Sequence, residues 1–266
     1  MELGLKDKVA LVTGSSKGIG RAVAEILAAE GCRVTITARS REALEAAAAA
    51  IRQAGGTVLP LPGDALRAQD IKKVVDETVA RFGALHILVN NVGGVGRFAP
   101  FHELTDDDWT SLFNLNVLSM VRYTRAVLRH MQKQKWGRII NIASESGIQP
   151  DPEMPHYNAT KGAMLVLSKS LSKAYAPDGI LVNAVSPAFI RTPLVEAMMA
   201  REAQKQGVSV KEAIACFLEK NRPHIDLRRP GGEGEVAAVV AFLASEAASF
   251  VTGANYRVDG GSVASV

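Results

Sequence analysis

Cysteine is scarce in this chain: Cys32 and Cys216 are the only two in 266 residues. They are too few and too far apart for a disulfide framework or a thiolate metal site, which favours a reducing, cytoplasmic setting. The histidines, His86, His102, His130, His156 and His224, have no ligand-like spacing, so no metal is expected. Aromatic residues make up 5%, and the net charge of +4 is spread along the chain without a basic block, so nucleic acid is not an expected partner. No apolar run reaches the ~18 residues of a membrane span, and the opening MELGLKDKVA has no signal core. Linkers, repeats and low-complexity tracts are absent too. What is there is 47% hydrophobic, enough for a sizeable core, and the expectation is a soluble protein with a single domain over 1–266.

Strand and helix patterns alternate along the chain. Lys8 to Thr13 reads as a buried strand, Gly14-Ser15-Ser16-Lys17-Gly18-Ile19-Gly20 as a glycine-rich turn, and the next stretch as a helix closed by Gly31. This order is the context of a dinucleotide-binding loop, in which the glycines let the backbone approach a pyrophosphate at the helix N-terminus. A second strand, Arg33 to Thr37, ends in Ala38-Arg39-Ser40. An acid at this place would bind the 2′-hydroxyl of NAD, whereas an arginine suits the 2′-phosphate of NADP. Arg39, with Lys17 as a second cation, therefore favours NADP(H) over NAD(H); the plainer alternative is a solvated residue ahead of a helix.

Further strands are expected at Thr57 to Leu61, Leu85 to Asn90, Arg138 to Ile142, Ile180 to Val185 and Tyr256 to Val258, with helices between them. Asp64 either holds an adenine amino group or starts a turn. Thr105 with three following aspartates reads as a helix N-cap, and that helix is expected to run through Asn116 to about Lys135. The segment 190–230 is longer than a strand–helix loop needs. It holds two candidate helices with apolar stripes, around Leu194–Gln206 and Val210–Lys220, and reads as a lid over a substrate, the alternative being a packed excursion. The fold class implied is α/β, a doubly wound parallel sheet with helices on both faces.

Chemistry is concentrated between Asn141 and Lys161. Pro150, Pro152 and Pro155 keep the chain out of helix until His156, and a helix then carries Ala163, Leu167 and Leu171 on one stripe. Tyr157 and Lys161, four residues apart, share a face of that helix. Ser144 lies on the loop just beyond the strand. A phenol with a pKa near ~10 becomes a useful acid–base group when an ammonium lies close by. A hydroxyl beside it can stabilise an oxygen that gains charge.

Thr13-Gly14-x-x-x-Gly18-Ile19-Gly20, Asn90-Asn91-x-Gly93, Asn116, Ser144 and Tyr157-x-x-x-Lys161 occur in the order found in the short-chain dehydrogenase/reductase family, classical type. The chain resembles that family over essentially its whole length, and most of all the branch of 3-oxoacyl-acyl-carrier-protein reductases and sugar or polyol dehydrogenases. The resemblance implies Tyr157 as general acid or base, Ser144 polarising the substrate oxygen, and Lys161 binding the nicotinamide ribose and lowering the tyrosine pKa. It implies Asn116 fixing a water on the proton path. Gly14, Ser16, Lys17, Gly18 and Ile19 would cradle the phosphates and ribose, and Arg39 and Ser40 would take the 2′-phosphate end. Asp64 and Ala65 would border the adenine, Asn91 and Gly93 the adenine-side ribose, and Pro187, Ile190 and Thr192 the nicotinamide. It further implies a homo-oligomer, tetramer or dimer, acting on a small-molecule alcohol or carbonyl.

Val92 and Ala188 depart from the family's usual alanine and glycine. Glu145, Gln149, Glu153 and His156 near the expected mouth point to an enclosed, partly polar pocket. Two other readings are a nucleotide-binding regulator without turnover, and a lyase or dehalogenase, which would be expected to lose the glycine loop.

Overall fold

The computed structural model describes residues 2–265; Met1 and Val266 lie outside the described residues. Strand β1 (Val9–Thr13) leads through the glycine turn into α1 (Gly18–Ala29), and β2 (Arg33–Ala38) into α2 (Arg41–Gln53). Next come β3 (Thr57–Pro62), α3 (Ala68–Phe82) and β4 (Ile87–Asn90). Helix α4 (Asp106–Phe113) starts on the Thr105–Asp108 capping box and continues through a π turn, Asn114–Leu118, into α5 (Ser119–Gln134). Then follow β5 (Gly137–Ile142), α6 (Pro155–Tyr175) and β6 (Ile180–Pro187). The chain closes with α7 (Pro193–Gln206), α8 (Val210–Asn221), α9 (Glu233–Ala244) and β7 (Asn255–Val258).

The sheet order is β3-β2-β1-β4-β5-β6-β7 and every pairing is parallel. Parallel strands buried on both faces explain why their sequences are almost unbroken runs of Val, Ile, Leu and Ala. Alternation sorts those side chains. Ala10, Val12, Ile140 and Ile142 face the layer of α1, α2 and α9, while Leu11 and Ile139 face the layer that contains α3 and α5. Chain direction across the sheet reverses between β1 and β4, which opens a crevice beyond the C-terminal ends of these strands, the usual ligand position in such folds.

Two details depart from the sequence expectation, and a third adds to it. Pro155 is the first residue of α6 rather than a breaker before it, because a proline at that position gives up an N–H that has no helical partner anyway. The helix expected through Asn116 is interrupted by the π turn. The buried face of α6 is His156, Thr160, Lys161, Met164, Ser168 and Ser172, whereas Ala163, Leu167 and Leu171 are only half-buried.

Candidate active site

The glycine turn lies at the mouth of the crevice. Gly14 (φ 63°) and Gly18 (φ 65°) both occupy the left-handed region, which favours glycine. Asn91, at the end of β4, pins the turn: its side-chain amide donates to the carbonyls of Thr13 and Gly14, each at 3.0 Å. Thr13 Oγ1 in return accepts from the backbone of Asn91 at 3.0 Å and Val92 at 3.2 Å. The buried serine of the turn is Ser15, which donates to Val12 O at 2.7 Å and accepts from Thr37 N at 3.0 Å. Ser16 and Ile19 are half-buried and Lys17 is exposed. Asn91, expected beside the ribose, has its amide protons committed to holding the loop that would carry the cofactor.

Arg39 is exposed at the end of β2, and among the described residues neither it nor Lys17 takes part in a salt bridge. Ser40 caps α2 by accepting from Ala43 N at 3.2 Å. Asp64 Oδ1 accepts from Leu66 N at 2.9 Å, so the turn reading holds for this oxygen, and Ala65 beside it is buried. Pro187 ends β6, Ile190 bridges to Gly231, and Thr192 caps α7 from Val195 N at 3.3 Å. All these residues follow the C-terminal ends of strands, which is why they reach one crevice. Glu233, read from sequence only as a helix start, also arrives there. Its Oε1 would lie 3.8 Å from a Cβ on Gly18, it has no hydrogen-bond partner, and burial raises its pKa.

The second half of the site is built on β5 and α6. Lys161 is 5% exposed and its Nζ donates to Ile142 O, the last residue of β5, at 2.9 Å. Burial pushes its pKa down from 10.5 to about 8. Its Nζ lies 5.7 Å from the centroid of the Tyr157 ring. The phenol is not brought below its ordinary value in this structure. Burial raises it, a hydrogen bond with Ser144 works in the opposite sense, the Glu145 charge adds to the rise and Arg222 opposes it. In the cofactor-free protein desolvation of the phenol therefore outweighs the groups that favour its ionisation.

Asn116 sits in the π turn, a feature often found at functional sites. Its Nδ2 donates to Gly94 O and Thr160 Oγ1, both at 2.9 Å, and its Oδ1 accepts from Gly94 N at 2.9 Å. Both amide protons are thus committed to fixing the Gly93–Gly94 backbone and α6. A Cβ on Gly93 would stand 3.3 Å from Asn116 Oδ1 and 3.6 Å from Lys161 Nζ, so the strip beside the lysine is kept clear by glycine.

A buried polar ladder ties these parts together and was not foreseen. Asn90 Nδ2 donates to Asn141 Oδ1 at 2.8 Å and to Thr124 Oγ1 at 3.2 Å, and Asn141 Nδ2 donates to Ser168 Oγ at 2.9 Å. Of the residues expected at the mouth, Glu145 is buried and Glu153 exposed. His156 is fully buried, packed edge-on against Trp109 at 6.0 Å, with neither ring nitrogen hydrogen-bonded. Among the described residues no group of His, Cys, Asp and Glu could hold a metal, and no helix is long and apolar enough to cross a membrane.

Comparison with known proteins agrees with this geometry. The family model described as short chain dehydrogenase matches residues 8–205. The chain is 37% identical over 268 residues to the uncharacterized oxidoreductase YvaG of Bacillus subtilis, covering 100% of both. It is 38% identical over 262 residues to the 3-oxoacyl-[acyl-carrier-protein] reductase of Aquifex aeolicus, covering 98% of this chain and 99% of that one. Among solved structures, L-sorbose reductase from Gluconobacter frateurii complexed with NADPH and L-sorbose superposes with a TM-score of 0.94 at 33% identity, over 100% of both chains.

Proposed function

The chain belongs to the short-chain dehydrogenase/reductase family and is an NAD(P)-dependent oxidoreductase of CH–OH groups; from that premise we propose that it interconverts a secondary alcohol and a ketone using NADP(H), with Tyr157 as general acid/base. The observation that carries this reading is the meeting of Ser144, Tyr157 and buried Lys161 at the end of β5, across the crevice from the glycine turn. The residues present fit the dinucleotide. The turn offers backbone at the N-terminus of α1, and a Cβ on Gly18 would meet nothing closer than 3.8 Å, leaving a cradle for a pyrophosphate. Arg39 and Lys17, exposed and outside any salt bridge among the described residues, suit a 2′-phosphate.

The bound nicotinamide supplies the hydride in reduction and takes it in oxidation. Ser144 holds the substrate oxygen, and Tyr157 delivers its proton to that oxygen in reduction and removes it in oxidation. With a pKa of about 8, Lys161 is mostly an ammonium at neutral pH yet close enough to neutrality to pass a proton on. The α7–α8 segment, with Phe189, Met199, Leu218 and Ile225 packed as its own small core, acts as the lid. The half-buried Leu167 and Leu171 and the exposed Val166 of α6 suit burial against a second copy of the chain.

The test is NADPH consumption over a panel of 3-oxoacyl thioesters, keto-sugars, small diketones and bulky ring ketones, with NADH and Tyr157→Phe in parallel. Turnover of one class with NADPH, falling by roughly 10²–10⁴-fold in Tyr157→Phe while NADPH binding survives, is expected. A Tyr157→Phe variant that turns over at the wild-type rate would refute the assignment.

A further inference from the structure

Three stretches far apart in sequence meet beside Ser144. Glu145 is buried, with 7% of its side chain exposed, and its carboxylate accepts from Ser262 Oγ near the C-terminus. Arg222 follows the last residue of α8. Its Nε stands 3.7 Å from Glu145 Oε1, and its Nη1 is 2.9 Å from Asp151 Oδ2 on the loop ahead of α6. Gln149 Oε1 also accepts from Ala264 N at 3.4 Å. The end of the lid and the tail are thus tied to the loop that carries Ser144. The Arg222 side chain is 18% exposed and stands between two carboxylates, so its charge acts on its neighbours with little screening by solvent.

We propose that Arg222 is a positioning residue for the Tyr157 proton: brought in by the lid, it pairs with Glu145 and so sets how readily the phenol ionises. The proposal rests on Tyr157 being the acid/base of the reaction. Glu145 directly follows Ser144, the partner of the Tyr157 phenol, and Arg222 Nε stands 3.7 Å from the Glu145 carboxylate, so both charges sit beside the phenol, Glu145 opposing its ionisation and Arg222 favouring it. The groups facing this cluster are Glu145 from the Ser144 loop, Arg222 from the end of α8, Asp151 from the loop before α6 and Lys161 from α6. His224, beyond α8, and Asp259, beyond β7, complete the set, acting on Glu145 in opposite senses. Closure of the lid would then switch on the proton donor at the moment the substrate is enclosed.

Opposite signs make this testable apart from any structural role. The measurement is the ultraviolet titration of the Tyr157 phenolate in cofactor-free protein, taken as the difference from the same protein carrying Tyr157→Phe. It is confined to the pH range in which circular dichroism shows the fold intact. Glu145→Gln is expected to lower the midpoint and Arg222→Gln to raise it, each on the order of half a pH unit to one unit. The double variant should return close to wild type, and Arg222→Lys should stay there. A clasp that merely holds the loop would, when cut, let water in and lower the midpoint in both single variants alike. That result, or no movement in Glu145→Gln, overturns the proposal. Should Arg222→Gln fail to fold, Glu145→Gln decides alone. Failure here leaves the ketone assay untouched, whereas turnover by Tyr157→Phe would strike the role of the tyrosine itself.

Discussion

Replacing Lys161 by methionine should stabilise the fold while removing activity. Burial pushes the lysine pKa from 10.5 to about 8, so holding its charge in the cofactor-free protein costs roughly 3 kcal/mol at pH 7. Methionine keeps most of the buried chain and gives up one charge-assisted hydrogen bond, to Ile142 O, valued at about 2 kcal/mol. The net expectation is a gain of about 1 kcal/mol, on the order of 3 °C in melting temperature for a chain of this size. The pH dependence follows from the sign of the shift. A base whose folded pKa is depressed destabilises the protein fully below that folded value, and the penalty is relieved as pH rises from about 8 towards 10.5. Wild type should therefore catch up with Lys161→Met between these limits. Urea unfolding of both proteins at closely spaced pH values, without cofactor, measures the difference curve. A variant less stable than wild type at pH 7, or a difference that does not shrink above pH 8, would refute the reasoning.

Two other substitutions probe the cofactor half of the site. Arg39→Ala removes a cation placed for the 2′-phosphate and should weaken NADPH binding by roughly 10–100-fold while leaving NADH almost unchanged, as read by fluorescence titration. Equal losses for both cofactors would sink the 2′-phosphate argument. Gly20→Ala puts a Cβ 2.4 Å from Asn91 Nδ2 and 2.6 Å from Gly14 O, so the start of α1 must move off the turn. It should lose about 1–3 kcal/mol of stability and most NADPH affinity together, and wild-type affinity in this variant would contradict the role given to the Asn91 clamp.

What was legible in the sequence was local. The cap at Thr105 involves residues three apart, so local spacing reveals it directly. The glycine turn was legible because strand, turn and helix follow each other without a gap. The π turn left no trace, since one widened turn inside a long helix does not disturb the apolar period enough to show. The Asn90–Asn141–Ser168 ladder depends on the register Asn90↔Asn141 between two strands, and the Arg222 clasp on where α8 ends relative to β5. Neither relation is a matter of spacing along the chain. The hold of Asn91 on the glycine turn likewise depends on β4 lying beside β1, a relation that spacing along the chain does not carry.

The inner face of α6 shows what an apolar stripe alone does not report at a site of this kind. A helix that only had to be buried would turn Leu167 and Leu171 to the sheet, yet Ser168 and Ser172 face inward. Both serines satisfy their hydroxyls within the helix, donating to Met164 O at 2.6 Å and Lys169 O at 2.8 Å, so their burial leaves no donor unpaired. Their small size lets α6 approach the sheet closely, and Ser168 is then within reach of Asn141 on β5. On the other side, a Cβ on Gly147 would come within 2.9 Å of the Lys161 carbonyl carbon, so the catalytic loop also lies directly against the helix backbone. Hydrogen bonds and close backbone contact fix position and orientation, whereas hydrophobic burial alone tolerates sliding. Lys161 reaches Ile142 O and Tyr157 meets Ser144 only if α6 holds one register on β5. The polar residues on its inner face are accordingly part of the active-site geometry, and replacing them with leucines of better hydropathy would displace the pair they support.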